Sequence, residues 1–185
     1  MNSKGVTLIE LMVVFAIAGI LAVALGFAYI GWQGAYKVEK ATKDIYTDLM
    51  DARIRASTQG RAYFVDFPTA RTYRMSIDDS NGTAKGNGDL IFQPQANPLV
   101  STANTDTTVP TFPKTSEYTI TWSGGGTITY NQSGIISTPG TVCLTTTADP
   151  DYDCIDVLQT RINIGKLTTQ ISNGGACLAA NCVAK

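Results

Sequence analysis

Lys4 to Ile30 reads KGVTLIELMVVFAIAGILAVALGFAYI, and the charge pattern of this segment organises everything after it. Residues 11–36 contain no charged side chain. Leu11 to Ile30 gives 20 residues of apolar or Gly character, and about 20 suffice to cross a bilayer core as a helix. A secretory signal peptide would carry a shorter apolar region, roughly 7–15 residues, ending at a small-residue cleavage site. Here the run is longer and continues into a helical pattern, so the segment reads as a retained anchor. Glu10 is its anomaly. It stands at the head of the apolar run, and the next charged residue is Lys37. An ionised carboxylate near a membrane core costs about 2–3 kcal/mol even on lenient scales and needs a partner. A free α-amino group made by a cut just upstream would supply one, in cis or on a neighbouring copy. The plainer alternative is a carboxylate at a helix N-terminus, favoured by the helix dipole.

Beyond the anchor, Val38, Ala41, Ile45, Leu49, Ala52 and Ala56 recur every three or four residues, an amphipathic stripe. Lys37, Lys40, Lys43, Asp44, Asp48, Asp51 and Arg55 fall largely on the other faces. No proline interrupts residues 1–67. One helix is therefore expected from near Val6 to about Thr58, stopped at Gly60. Its first half belongs to a membrane or filament core, and its second half packs on a sheet.

After Gly60 the period becomes alternating. Arg61–Phe67 and Arg71–Ile77 are expected as a hairpin, with Tyr73, Met75 and Ile77 on one face. A short strand is expected near Leu90–Gln93, and residues 94–116 read as a long surface loop. Glu117–Trp122 and Thr127–Tyr130 are expected as a second hairpin around Gly124, Gly125 and Gly126. Thr141–Thr146, Val157–Ile164 and Lys166–Ile171 complete an antiparallel set. The fold class is α+β: a long N-terminal helix packed on an antiparallel β-sheet domain.

Formal net charge is -1 and the pI about 5.3, so no global field recruits nucleic acid. Histidine is absent, which removes the commonest general base and transition-metal ligand. No nucleophile elbow, Walker loop or dinucleotide fingerprint is present, and the chain is expected not to be an enzyme and to use no cofactor. The four cysteines, Cys143, Cys154, Cys177 and Cys182, cluster in the last quarter of the chain and suggest two disulfides in an oxidising compartment. Their spacing makes Cys143–Cys154 with Cys177–Cys182 the simplest of three connectivities. Positive-inside counting opposes this, with Lys4 before the anchor and Lys37, Lys40 and Lys43 after it. The cysteines outweigh so small a count and put the C-terminal domain on the oxidising side. Asp149, Asp151 and Asp153 form a weak calcium candidate. The alternation is right for oxygen ligands on a tight loop, but the Gly and bidentate Glu of a calcium-loop motif are missing.

Lys4-Gly5-Val6-Thr7-Leu8-Ile9-Glu10-Leu11 resembles the prepilin (class III) signal. The resemblance implies a leader at 1–5, cleavage between Gly5 and Val6 by a prepilin peptidase, and N-methylation of Val6. It also implies that Glu10 pairs with the Val6 amine of a neighbouring subunit. Residues 6–36 would then be the transmembrane and assembly helix, 37–60 its amphipathic half, and 61–185 the periplasmic domain. The Ala52-Arg53-Ile54-Arg55-Ala56 segment resembles the pseudopilin H/FimT group. So do Gly126–Ile136, where a strand runs into an Asn-x-x-Gly turn, and Ile162–Lys166. This likeness implies a pilin fold and a minor pseudopilin of type II secretion in the inner membrane. Its implied partners are other major and minor pseudopilins and an inner-membrane assembly platform. The alternative is a FimT-like minor pilin of a type IV pilus, some of which bind DNA during uptake. Arg161, Lys166 and Lys185 are the only basic residues after Lys114, a poor footprint for that role.

Overall fold

A computed structural model describes residues 7–77, 90–91 and 114–185, without the side chains of 24–31 and 90–91. Helix α1 runs Leu8–Gln59, 52 residues and about 80 Å at 1.5 Å per residue. Thr7 caps it, its Oγ1 accepting from Glu10 N at 3.4 Å. Gly60 ends it in the left-handed region at φ 62°, where a side chain would be strained. The two halves of the helix differ sharply. Leu8 to Val23 are exposed throughout. Val38, Ile45, Leu49, Ala52 and Ala56 are buried, as the stripe predicts, and Ala41 is half-buried against the same core. Thr42 joins this face although it is polar. It is fully buried, and its hydroxyl lies 2.9 Å from Val38 O and 3.1 Å from Tyr152 O, so its burial is compensated.

Among the described residues, ten strands form two antiparallel sheets against that face. The first contains β1 (Tyr63–Thr69), β2 (Thr72–Ile77), β3 (Leu90–Ile91), β4 (Lys114–Thr115) and β6 (Ile128–Tyr130), in the order β3-β2-β1-β6 with β4 also on β2. The second contains β5 (Thr119–Trp122), β7 (Gly140–Thr145), β8 (Cys154–Val157), β9 (Ile162–Leu167) and β10 (Cys182–Ala184), in the order β10-β9-β8-β7-β5. The β1–β2 hairpin is the expected one, with Tyr73, Met75 and Ile77 buried on one face. The helix packs on β1, β6, β8 and β9.

Four expectations need correction. Thr119–Trp122 and Ile128–Tyr130 do not pair with each other. The first pairs with β7 and the second with β1, so the Gly124–Gly126 segment crosses between sheets. Gly125 and Gly126 have φ of 66° and 72°, and a Cβ on Gly124 would overlap the Trp122 ring, so this crossover needs Gly for conformation and for space. The strand expected over Val157–Ile164 is two strands, β8 and β9, turning at Leu158–Arg161, where Leu158 N donates to Arg161 O at 2.9 Å. Strand β9 ends at Leu167, and Ile171–Asn173 is a 3-10 turn instead of strand. Lys114–Thr115 pairs with β2 inside the expected loop. Residues 94–113 of that loop, and 92–93 of the strand expected at Leu90–Gln93, lie outside the described residues.

The disulfide connectivity is also corrected. Cys143 bonds Cys177 and Cys154 bonds Cys182, with Cα–Cα distances of 5.8 and 6.0 Å. The reason lies in the alternation of β7 and β8. Val142, Leu144, Ile155 and Val157 point to the helix core, whereas Cys143 and Cys154 sit opposite each other on the reverse face. There they form a small second core with Leu167, Cys177 and Cys182. The C-terminal segment closes over that face, and each strand cysteine bonds to it.

Candidate functional site

The N-terminal half of α1 is the most unusual surface of the molecule. Leu8, Ile9, Met12, Phe15, Ile20 and Val23 are each more than 60% exposed, an apolar cylinder on which none of the described residues packs. Glu10 lies in its first turn, where the helix dipole favours an anion. Among the described residues it has no ion-pair partner. Gly5 and Val6, the expected cleavage and methylation positions, lie outside the described residues. Among the described residues no helix is long and apolar enough to cross a membrane. The charge-free run continues in sequence through residues 24–31, whose side chains are outside that description.

Two motifs far apart in sequence meet at the upper half of the helix. Ala52 and Ala56 are fully buried, and the small side chains bring the helix close to the β6–β7 connection. Arg53 Nε donates to Gly134 O at 3.2 Å. Gly134 closes the Asn131-x-x-Gly turn with φ 71°, and a Cβ there would press on Arg53 O. Asn131 Oδ1 accepts from Ser133 N at 3.0 Å and Ile135 N at 2.9 Å, which fixes the turn. Both motifs therefore serve one joint between helix and sheet, a structural role.

A polar knot below this joint was not foreseen. Tyr73 donates its hydroxyl to Asp48 Oδ2 at 2.6 Å, and Lys114 Nζ approaches the same oxygen at 2.6 Å. Burial, reinforced by the Asp48 carboxylate, pushes the Tyr73 phenol far above its ordinary value, so it stays protonated and donates to Asp48. The sequence placed Asp48 on the polar face of the helix and Lys114 at the end of a loop, with nothing to link them.

The acidic loop does not converge. Lys166 pairs with Asp149 at 2.6 Å and Lys185 with Asp151 at 2.7 Å. The Lys185 ammonium holds the Asp151 carboxyl below the usual carboxylate range. Asp153 turns inward, is fully buried, and accepts from Leu167 N at 2.6 Å. Its other oxygen has no hydrogen-bond partner, and burial pushes its carboxyl up. Among the described residues no three His, Cys, Asp or Glu side chains are grouped to hold a metal, so the calcium candidate is not assembled. The same pairs engage two of the three basic residues that a C-terminal nucleic-acid footprint would need.

The prokaryotic N-terminal methylation motif matches residues 1–26. The family model described as type II transport protein GspH matches residues 41–160, from the amphipathic half of the helix to the turn between β8 and β9. Neither a curated protein nor a solved structure matches the chain. The exposed apolar helix with its Glu10 falls within the first match, and the helix-to-sheet joint within the second. The second match covers well over half of the 185 residues, and the chain belongs to the type II transport protein GspH family, a pilin-like pseudopilin.

Proposed function

We propose that the chain is a minor pseudopilin of a type II secretion system, held in the inner membrane by residues 6–36, with 61–185 in the periplasm. It is built into the periplasmic pseudopilus or starts its assembly, and it is a structural subunit without enzymatic activity. The observation that carries this reading is the exposed apolar half of α1 with a carboxylate in its first turn. Each large apolar side chain there is worth about 1.5–3 kcal/mol on full burial, so the cylinder belongs in lipid before assembly and among other helices after it. Glu10 supplies the one charge that must be neutralised in either setting. A prepilin peptidase cutting between Gly5 and Val6 frees the Val6 amine, which a separate transfer from a methyl donor then N-methylates, and that amine on a neighbouring pseudopilin is the partner of Glu10. The two disulfides support a periplasmic domain, because such bonds persist in oxidising compartments.

Intact mass of the membrane-extracted chain tests the processing step. The expected form lacks Met1–Gly5 and carries one added methyl group; a retained leader would sink the reading. Glu10→Ala is expected to be cut normally yet to fail in co-purification with the other pseudopilins and in restoring secretion. Normal assembly of that variant removes Glu10 from the mechanism.

A further inference from the structure

Where the charge-free run ends, an open cavity of about 520 Å³ lies between α1 and the segment that follows β4. Its lining includes Tyr36, Lys37, Lys40, Asp44, Glu117 and Tyr118. Lys37 is the first charged residue after Glu10, so the cavity begins at the level where the apolar helix gives way to water. Trp32 and Tyr36 stack at this level with ring centroids 5.7 Å apart and stay mostly exposed, 65% and 55%. Amphipathic rings of this kind favour the headgroup layer of a bilayer.

The charges in the cavity are of both signs. Outside its lining, the neighbouring Lys43 is paired with Glu39, and Lys114 with Asp48. Lys37, Lys40, Asp44 and Glu117, in contrast, have no ion pair among the described residues. Along the helix the two lysines come first, nearest the apolar run, and Asp44 follows Lys37 by about 10 Å of helix rise. A purely anionic ligand would leave the carboxylates facing it. A group with phosphate nearest the membrane and a cation beyond it would satisfy both ends.

We propose that this cavity holds the headgroup of a phosphoethanolamine-type zwitterionic phospholipid. Lys37 and Lys40 take the phosphodiester, Asp44 and Glu117 take the ammonium, and Tyr36 and Tyr118 flank the group. The site rests on the membrane reading given above. It would fix the depth and tilt at which the domain leaves the bilayer, because a helix anchored only by apolar contact can slide and rotate.

The test uses the full chain in nanodiscs, with a photoreactive benzoylphenylalanine in place of Tyr118. One set of discs contains phosphatidylglycerol alone, and a second contains phosphatidylethanolamine with phosphatidylglycerol. The expected result is a phosphatidylethanolamine adduct by mass. The adduct falls by about thirtyfold in Lys37→Gln/Lys40→Gln, as two lost lysine contacts imply, and returns with Lys37→Arg/Lys40→Arg. Asp44→Asn/Glu117→Gln is expected to abolish the preference for phosphatidylethanolamine over phosphatidylglycerol. Intact disulfide linkage in each variant verifies the fold. Equal adducts with both lipids, or crosslinks only to protein (a second copy or another part of the chain), overturn the proposal. So does displacement of the adduct by soluble phosphoethanolamine at the lipid's own concentration. A chain that enters the discs but forms no lipid adduct refutes the cavity alone, whereas a chain that never enters them refutes the anchor.

Discussion

Removing one disulfide is the sharpest test of how the C-terminal segment is held. Residues 168–185 bury few apolar side chains of their own: Leu178 and Val183 are more than half exposed, and Ile171 is only half-buried. Hydrophobic burial cannot be what closes this segment over the reverse face of β7 and β8. The crosslinks carry it together with the β9–β10 pairing and the bonds that Gln170 and Ser172 donate to Ala148 O and Thr146 O. The Cys143–Cys177 bond spans 34 residues and Cys154–Cys182 spans 28. The chain-entropy relation gives about 3.8 and about 3.6 kcal/mol for loops of those lengths, against about 2.8 for a Cys143–Cys154 loop. The two native loops overlap between residues 154 and 177, so the values do not add.

Cys154→Ala with Cys182→Ala is therefore expected to lower unfolding free energy by about 3–4 kcal/mol, a large share of the roughly 5–15 kcal/mol typical of a domain. Guanidinium unfolding of the detergent-solubilised chain, followed through Trp122, measures it. Connectivity is checked in parallel by digestion. Between Lys114 and Arg161 there is no basic residue, so trypsin leaves Cys143 and Cys154 on one peptide and Cys177 and Cys182 on another. The observed pairing links those two peptides, whereas the sequence-simplest pairing leaves them separate. Cleavage before Asp149, Asp151 or Asp153 then parts Cys143 from Cys154, and chymotryptic cleavage after Leu178 parts Cys177 from Cys182, which together assign each bond. Separate tryptic peptides, or a loss below about 1 kcal/mol, would refute the argument.

Three further outcomes follow from the same geometry. Asp153 is buried with one oxygen unpartnered and its carboxyl pushed up, so the fold favours the protonated form. Stability should then fall as pH rises above about 4, through the raised folded value, and Asp153→Asn should flatten that decline while costing little at neutral pH, as unfolding titrations across pH will register. Asp48→Ala strips the acceptor from a buried phenol and from Lys114, and is expected to cost about 1–3 kcal/mol and to loosen β4 from β2, read by hydrogen exchange at Thr72–Tyr73. A Cβ at residue 165 would overlap the Val183 carbonyl, so Gly165→Ala should lift β10 from β9 and expose the Cys154–Cys182 bond to mild reductant, detected by thiol labelling.

The helix was legible because its signals are local: an uncharged run, a three-to-four period and a Gly at the stop all act within a few residues of where they stand. Strand partners are chosen globally, and there sequence reading failed in an instructive way. Thr119–Trp122 and Ile128–Tyr130 bracket a Gly triplet that looks like a hairpin turn. Ile128 and Tyr130 are fully buried beside β1, where the helix covers them, while Ile120 completes the other sheet. Loop-closure entropy favours the near partner by little, about 0.6 kcal/mol per doubling of loop length, and burial of two side chains of this size exceeds that several times. The cysteines follow the same rule. Cys143 and Cys154 face each other across one register pair, close enough to tempt a short-loop pairing, yet each meets a cysteine from a segment that no periodicity announces.

That contrast bears on the function. The stretch whose helix was legible in the sequence, Thr7 through Val23, is also exposed throughout, and the two facts have one cause. On the function proposed above, this surface meets lipid and neighbouring helices and cannot rely on long-range contacts within its own chain, so its chemistry is written in consecutive residues: a cap at Thr7, a charge at Glu10, apolar side chains on every face. The domain beyond Lys37 works the other way, with Asp48, Arg53, Gly134 and Gly165 acquiring roles only when distant segments arrive. A substitution on the bare half should therefore change assembly and leave the folding of 61–185 intact. One in the joint at Arg53 and Gly134 should destabilise the domain and reduce assembly only in proportion. Comparing Glu10→Ala with Gly134→Ala, by guanidinium midpoint and by co-purification with the other pseudopilins, separates the two. Equal loss of stability in both variants would mean that the halves of the helix are not independent, and the division of labour drawn from their exposure would be wrong.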